Sequence, residues 1–351
     1  MKEQINCWKE NPKLLSGGRP GARHGQHTAR ALEELRRPEH KLLVTDLVLP
    51  CQDRTISLIG IEDHDSQRSL GDYQNTAYFL IVEGNPQGAL AQKDDLPKNP
   101  DQKSTANLQA VVIDPGLREG DWIRDTLGIS RCDVIFTHFH LDHWIGYEPY
   151  RGQTFHASPL CKTVLTQMVG TERTGKSIFV EGRLNDYHRS PLPLRAVNDA
   201  ERLLPIREKI HPVSGDNPYR NDLFGLEFFE LPYGQTEGTL YGLLEADSIR
   251  VLFASDLFVC INGQLKIEPH YAFKPKRMVI EDVIVMLRAL LKKDLPVTED
   301  PASAANLGRV GDPGVLALGH GLFDFASGRP AIAHLLEELE ELIRINREHI
   351  I

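Results

Sequence analysis

The sequence predicts an α/β fold. Short apolar, β-branched segments bounded by turn residues recur along most of the chain, and they alternate with segments whose apolar residues fall at helical spacing. The size agrees: 351 residues, 41% hydrophobic and 25% charged, are ordinary globular values with enough chain to bury a core. A wholly disordered, collagen-like or coiled-coil chain is excluded.

The elements follow in order. Residues 1–40 are polar and rich in Gly, Pro, Arg and His, with eight basic and five acidic residues. They read as a flexible or loosely docked extension rather than a nucleic-acid arm, with a short helix over Thr28–Arg37. From Lys41 the texture changes, and residues 41–351 read as one domain. Leu42–Val48, Thr55–Ile61, Thr76–Val82 and Ala110–Ile113 have strand character. Between the last two, Gly84–Asn107 is a polar insertion too long for an ordinary loop. Trp122–Leu127 reads as a helix and Asp133–Thr137 as a short buried strand. Residues 150–220 carry weak periodicity and read as a second insertion. Leu226–Leu231, Thr239–Leu244, Val251–Ala254 and Val315–Leu318 are strands. Val279–Leu291 is helical and ends in Lys292-Lys293, a favourable charge at a helix C-terminus. Ala331–Ile345 is an amphipathic helix opened by Pro330.

Composition narrows the partners. Forty basic against 49 acidic residues give a net charge of -9, so no whole-molecule field attracts nucleic acid or an anionic membrane. Cys7, Cys51, Cys132, Cys161 and Cys260 are scattered, with no C-x-x-C pair, which fits a reducing compartment. No signal-peptide core and no membrane-length apolar run is evident. The expectation is a cytoplasmic protein acting on a small molecule, with no nucleic-acid or membrane partner. Self-association into a homo-oligomer is left open.

The chemistry concentrates in His138-Phe139-His140-Leu141-Asp142-His143, directly after a strand. Histidines at i and i+2 of an extended segment project to one side. The Asp and His that follow at a turn reach a second point nearby, which suits two adjacent metals sharing a solvent molecule. A histidine-rich surface loop is the plain alternative, and four ligand types packed behind an apolar strand argue against it.

This His-x-His-x-Asp-His pattern after a strand resembles the metallo-β-lactamase superfamily, whose fold is a four-layer αββα sandwich with the site at one edge of the two sheets. Val112-Ile113-Asp114-Pro115-Gly116 matches the strand-terminal Asp of that family. Leu252-Phe253-Ala254-Ser255-Asp256 matches its bridging Asp, and Leu318-Gly319-His320-Gly321 its late His. The resemblance spans about residues 41–345. It implies that His138 and His140 hold a first metal, Asp142, His143 and His320 a second, and Asp256 bridges them. One position departs. In Leu231-Pro232-Tyr233-Gly234-Gln235-Thr236-Glu237-Gly238, Gln235 stands where the family has His. Either Gln235 coordinates through its carbonyl oxygen, favouring manganese, iron or magnesium relative to zinc, or the protein works with one metal. A vestigial site in a non-catalytic or accessory binding protein is the third reading, disfavoured because six of seven ligand positions survive.

The resemblance implies a hydrolase with one or two divalent ions, zinc first and manganese or iron as alternatives. The metal lowers the pKa of bound water towards about 7 and supplies hydroxide. Asp142 would ligate, orient the hydroxide and take up the proton that water loses in forming it, so it is the catalytic candidate. Trp144, Tyr147 and Tyr233 are candidate substrate-binding residues, with sandwich core as the competing reading for such aromatics. The Gly319-His320-Gly321 ending and the layout resemble the glyoxalase II and lactonase members, which implies an ester, thioester or lactone substrate. A phosphodiesterase or nuclease of the same superfamily is the alternative. His188, His211 and His270 read as surface or hydrogen-bonded residues, and Glu62-Asp63-His64-Asp65 as solvated surface. Arg173, Lys176, Arg183, Arg189 and Arg195 offer charge to a carboxylate or phosphate, or are simply solvated.

Overall fold

A computed structural model describes residues 23–51, 54–63, 75–82, 109–117, 119–163, 204–231, 238–247, 249–261, 264–267, 276–293, 301–311, 313–319 and 321–345. Helix α1 (Gln26–Leu35) precedes strands β1 (Leu42–Cys51), β2 (Arg54–Asp63), β3 (Thr76–Val82) and β4 (Gln109–Ile113). Then come α2 (Gly120–Thr126), β5 (Arg131–Ile135), the single turn α3 (Leu141–Trp144), β6 (Thr154–Ala157), β7 (Ile210–Pro212) and β8 (Tyr219–Asn221). The second half holds β9 (Leu226–Glu230), β10 (Leu240–Glu245), β11 (Arg250–Ser255), β12 (Val259–Ile261) and β13 (Gln264–Lys266). It closes with α4 (Lys276–Leu290), α5 (Pro301–Val310), β14 (Val315–Leu318), β15 (Gly321–Asp324) and α6 (Phe325–Ile345).

Two sheets result. The first has seven strands in the order β1-β2-β3-β4-β5-β6-β7, antiparallel up to β4 and parallel from β4 to β7. The second has six, in the order β15-β14-β11-β10-β9-β8, with one parallel pair, β11 and β14. Side-chain alternation along each strand divides the apolar residues among three cores. Tyr78, Leu80, Val111 and Ile135 of the first sheet meet Phe228, Leu244, Val251 and Phe253 of the second between the sheets. Their neighbours Phe79, Val112 and Val134 face outward onto Leu32 and Leu35 of α1 and Ile123 of α2. On the far side, Phe229, Leu243 and Leu252 pack on Val283 and Leu287 of α4, Leu307 of α5 and Leu336 of α6. The layers are therefore helix, sheet, sheet, helix, the αββα sandwich expected.

Several boundaries move, each for a physical reason. The segment expected to be a loose extension is docked from Gln26 onward, because Thr28, Ala31, Leu32 and Leu35 are buried on one helix face. His24 adds a polar tie: its ring nitrogens hydrogen-bond Ser57 of β2 and Asp46 of β1, and Arg36 pairs with the same Asp46. Part of the expected 150–220 insertion is sheet, since β6, β7 and β8 fall within it. These strands have only three or four residues each, too short to show a period. The expected strand Asp133–Thr137 leaves the ladder at Ile135; Phe136 and Thr137 instead bond His156 and Asp114. The last helix is not opened by Pro330. It begins at Phe325, which is buried against the third core layer, and Pro330 sits inside it. So near the start, the missing proline N–H costs one intrahelical bond to Ala326. The polar insertion 84–107 lies outside the described residues.

Candidate metal centre

The site forms where the C-terminal ends of β4 and β5 in one sheet meet those of β11 and β14 in the other. β5 is anchored by Val134, Ile135 and Phe136, all fully buried, so the chain that emerges at Thr137 has a fixed position. Asp114, one residue past β4, takes a positive φ of 52° and turns its carboxylate back towards that chain. Its Oδ1 accepts from the Thr137 backbone N–H at 2.7 Å, and its Oδ2 accepts from the Thr137 hydroxyl at 2.6 Å. The turn at Gly116 lies against the backbone of Asp142; a Cβ there would overlap the Asp142 carbonyl oxygen. Only glycine lets these two loops touch.

From this frame three histidines point at one carboxylate. Asp256 Oδ2 lies 3.2 Å from His143 Nε2, 3.6 Å from His138 Nε2 and 4.0 Å from His140 Nδ1. The His138 ring centre is 4.3 Å from that of His140 and 4.1 Å from that of His143. His138, His140 and Asp256 each offer one ligand atom, and these atoms all lie within 4.8 Å of one another. Asp142 Oδ2 is 3.7 Å from His143 Nε2. Asp142 is the more open of the two acids, with a side chain 21% exposed against 5% for Asp256. A bulge between Phe253 and Ser255 at the end of β11 aims Asp256 into the centre. Gly319 backs it, for a Cβ at Gly319 would fall on Asp256 Oδ1.

The electrostatics ask for a cation. Burial disfavours the charged imidazolium of His143, yet Asp256, Asp114 and Asp142 together raise its pKa well above the ordinary value. His143 donates from Nδ1 to Asp114 Oδ2 at 2.8 Å, leaving Nε2 facing Asp256 and Asp142. Three imidazoles and two carboxylates at this separation form a nitrogen and oxygen donor set that fits zinc, manganese or iron.

The structure thus brings together His138, His140, Asp142, His143 and Asp256 from the expected set. Gln235, His320 and Tyr233 lie outside the described residues. Gly319 borders Asp256, and the Leu240 N–H donates to the Thr137 carbonyl at 2.8 Å. Trp144 and Tyr147, candidates for substrate contact, are fully buried in the core beneath α2, where Trp144 Nε1 donates to the Phe139 carbonyl. Of the outlying histidines, His211 is exposed on β7, stacked near His156 and away from the centre. His188, His270 and His64 lie outside the described residues, as do Asp65 and the five basic residues from Arg173 to Arg195. Glu62 of the acidic cluster is part of the first sheet, accepting from Thr76 Oγ1 at 2.6 Å. The sequence reading missed the anchoring roles of Asp114, Thr137 and Ser255. Only Asp114 had a signal, its place at the end of a strand.

A four-layer αββα sandwich with a buried His/Asp centre at the sheet edge defines a metal-binding protein of hydrolase fold. The family model of the metallo-beta-lactamase superfamily matches residues 107–320. The chain belongs to the metallo-beta-lactamase superfamily. Among solved structures, TMB-1 is 16% identical, with 85% of this chain and 98% of that chain covered and a TM-score of 0.41. DIM-1 metallo-beta-lactamase is 12% identical over 86% of this chain and 100% of that one, with a TM-score of 0.41. AidC, a dizinc quorum-quenching lactonase, is 12% identical over 62% and 76%, with a TM-score of 0.34. No curated protein matches the sequence. Membership rests on the match over 107–320, not on these superpositions. No helix among the described residues is long and apolar enough to cross a membrane.

Proposed function

We propose that the protein is a metal-dependent hydrolase of an ester, thioester or lactone bond in a small molecule. The observation that carries the hydrolase reading is the convergence of His138, His140 and His143 on Asp256 Oδ2, all within 4.0 Å. The ester class is supported by the resemblance of the Gly319-His320-Gly321 segment to the glyoxalase II and lactonase members. The net charge of -9 weighs against a polyanionic phosphodiester.

His138, His140 and Asp256 would hold a first divalent ion, zinc by this reading. Asp142, His143 and, as the resemblance implies, His320 would hold a second, with Asp256 common to both, and Gln235 would complete the first if it coordinates through its carbonyl oxygen. A bound divalent ion supplies Lewis acidity, polarising the scissile carbonyl and acidifying water. The protein's own groups do the rest. Asp142, the more open acid, orients the attacking water and accepts its proton. Asp114 holds His143 in the tautomer that presents Nε2, and the buried walls of the centre keep bulk water from competing for these bonds.

The test pairs metal analysis of the purified protein with a panel of ester, thioester, lactone and phosphodiester substrates. One or two metals per chain with turnover of a carbonyl substrate supports the reading. Turnover of the phosphodiester alone assigns the other branch of the superfamily. No metal after supplementation, with no turnover, leaves a binding protein. Asp142→Ala should abolish turnover while the far-ultraviolet circular dichroism stays native; an active Asp142→Ala enzyme removes Asp142 from the chemistry.

A further inference from the structure

Among the described residues four non-glycine positions have positive φ: Lys41, Asp114, Ser255 and Lys292. Two of the four meet at Thr137. Asp114 contacts it from one side, and Ser255 Oγ lies 2.8 Å from Thr137 Oγ1 on the other. Ser255, at φ 48°, occupies a conformation suited to glycine, immediately before Asp256 and at the β11 bulge. A serine held there against its backbone preference points to work done by its hydroxyl. That hydroxyl is 3.0 Å from His138 Nδ1, and Thr137 Oγ1 is 3.1 Å from the same nitrogen.

Counting protons gives the direction of every bond. An ionised Asp114 carboxylate only accepts, so the single hydroxyl proton of Thr137 goes to Asp114 Oδ2. The short Thr137–Ser255 contact then takes its proton from Ser255. Neither hydroxyl has a proton left for the His138 ring. The bond at His138 Nδ1 is made by the ring's own N–H, and Nε2 keeps the lone pair, 3.6 Å from Asp256 Oδ2. We propose that Ser255 is a positioning residue of the metal centre, completing a one-way chain His138–Ser255–Thr137–Asp114 that fixes His138 with Nε2 as the ligand atom. Asp114 therefore orients two histidines: His143 directly and His138 through two hydroxyls. The inference rests on the metal centre of the proposed function but goes beyond it, since the substrate plays no part.

The experiment uses the full chain with Ser255→Ala and Ser255→Gly. Alanine removes the hydroxyl and keeps the left-handed backbone cost; glycine removes both. Zinc affinity is measured by competition with a chromogenic chelator. The His138 tautomer is read from the ring ¹⁵N shifts of the ¹⁵N-histidine-labelled, metal-free protein, at a pH where the imidazole is neutral. The wild type should show the Nδ1–H form of His138. Both variants should bind zinc about tenfold more weakly, the usual loss when an outer hydrogen-bond partner of a ligand is removed, and should show mixed tautomers. Zinc affinity within twofold of wild type in both variants overturns the proposal. So does weaker zinc binding with the tautomer unchanged, which would mark Ser255 as merely structural. A wild type that takes up no zinc overturns the metal centre and this inference together, so the two failures are distinguishable.

Discussion

Asp114 makes three hydrogen bonds from one carboxylate, to the Thr137 N–H, the Thr137 hydroxyl and His143 Nδ1. Asp114→Asn keeps the shape but replaces one acceptor oxygen with a donor, setting an N–H against a neighbour that also donates. Zinc affinity should fall about 10- to 100-fold, measured by chelator competition; an unchanged affinity would remove Asp114 from the support of the centre. His156, on β6, is a titrating residue outside the candidate metal centre. Burial lowers its pKa to about 4, and His211 beside it acts in the same direction, while Asp133 opposes. A depressed histidine stabilises the fold fully above its unfolded value of about 6.5 and loses that contribution as pH falls towards about 4. Urea unfolding at pH 7 and pH 4.5 should show His156→Phe losing less stability on acidification than the wild type, by on the order of 2 kcal/mol. An identical pH dependence in the two proteins would refute the assignment. At this scale the candidate ligands were legible because His138, His140, Asp142 and His143 fall within six residues. Ser255 was not, because its partner Thr137 is 118 positions away and only folding brings the two hydroxyls together.

Strand elements were legible wherever both faces are apolar or cleanly alternate. Thr76–Val82, buried along its whole length, matches its expected bounds, as does Val315–Leu318. The short strands β6, β7 and β8 were hidden, since their pairing comes from neighbours and not from their own pattern. Helix α1 shows the same effect in reverse. Its sequence is mostly polar, so it read as an extension. Yet Leu32 and Leu35 fill the outer face of the first sheet. Leu35→Ala should cost about 2–5 kcal/mol in chemical denaturation, the range for emptying a fully buried leucine site. A loss under about 0.5 kcal/mol would mean the helix is only loosely docked, as the sequence suggested. The Asp46 bonds to His24 and Arg36 fasten the same helix at its two ends.

Across the whole molecule, the two halves of the sandwich each supply part of one centre: Asp114 and the His138–His143 turn from the first sheet, Asp256 from the second. Metal bound between them should strengthen the sheet-to-sheet contact as well as the site. Zinc at a hundred times its dissociation constant adds about 2.7 kcal/mol to stability, so a chelator should lower the thermal midpoint and zinc restore it. A midpoint indifferent to both would place the metal outside the folded core or exclude it. Most strands, the α/β class and a tight cluster of ligand types could be read locally, because apolar periodicity and ligand spacing are properties of short stretches of chain; the sandwich class and the wider ligand set followed from the resemblance those motifs carry. Only the tertiary structure decided that Trp144 and Tyr147 lie in the core, that α1 belongs to the fold, and that Ser255 and Thr137 hold His138. These depend on which faces meet and on hydrogen bonds between residues distant in sequence, and no local pattern encodes such a meeting.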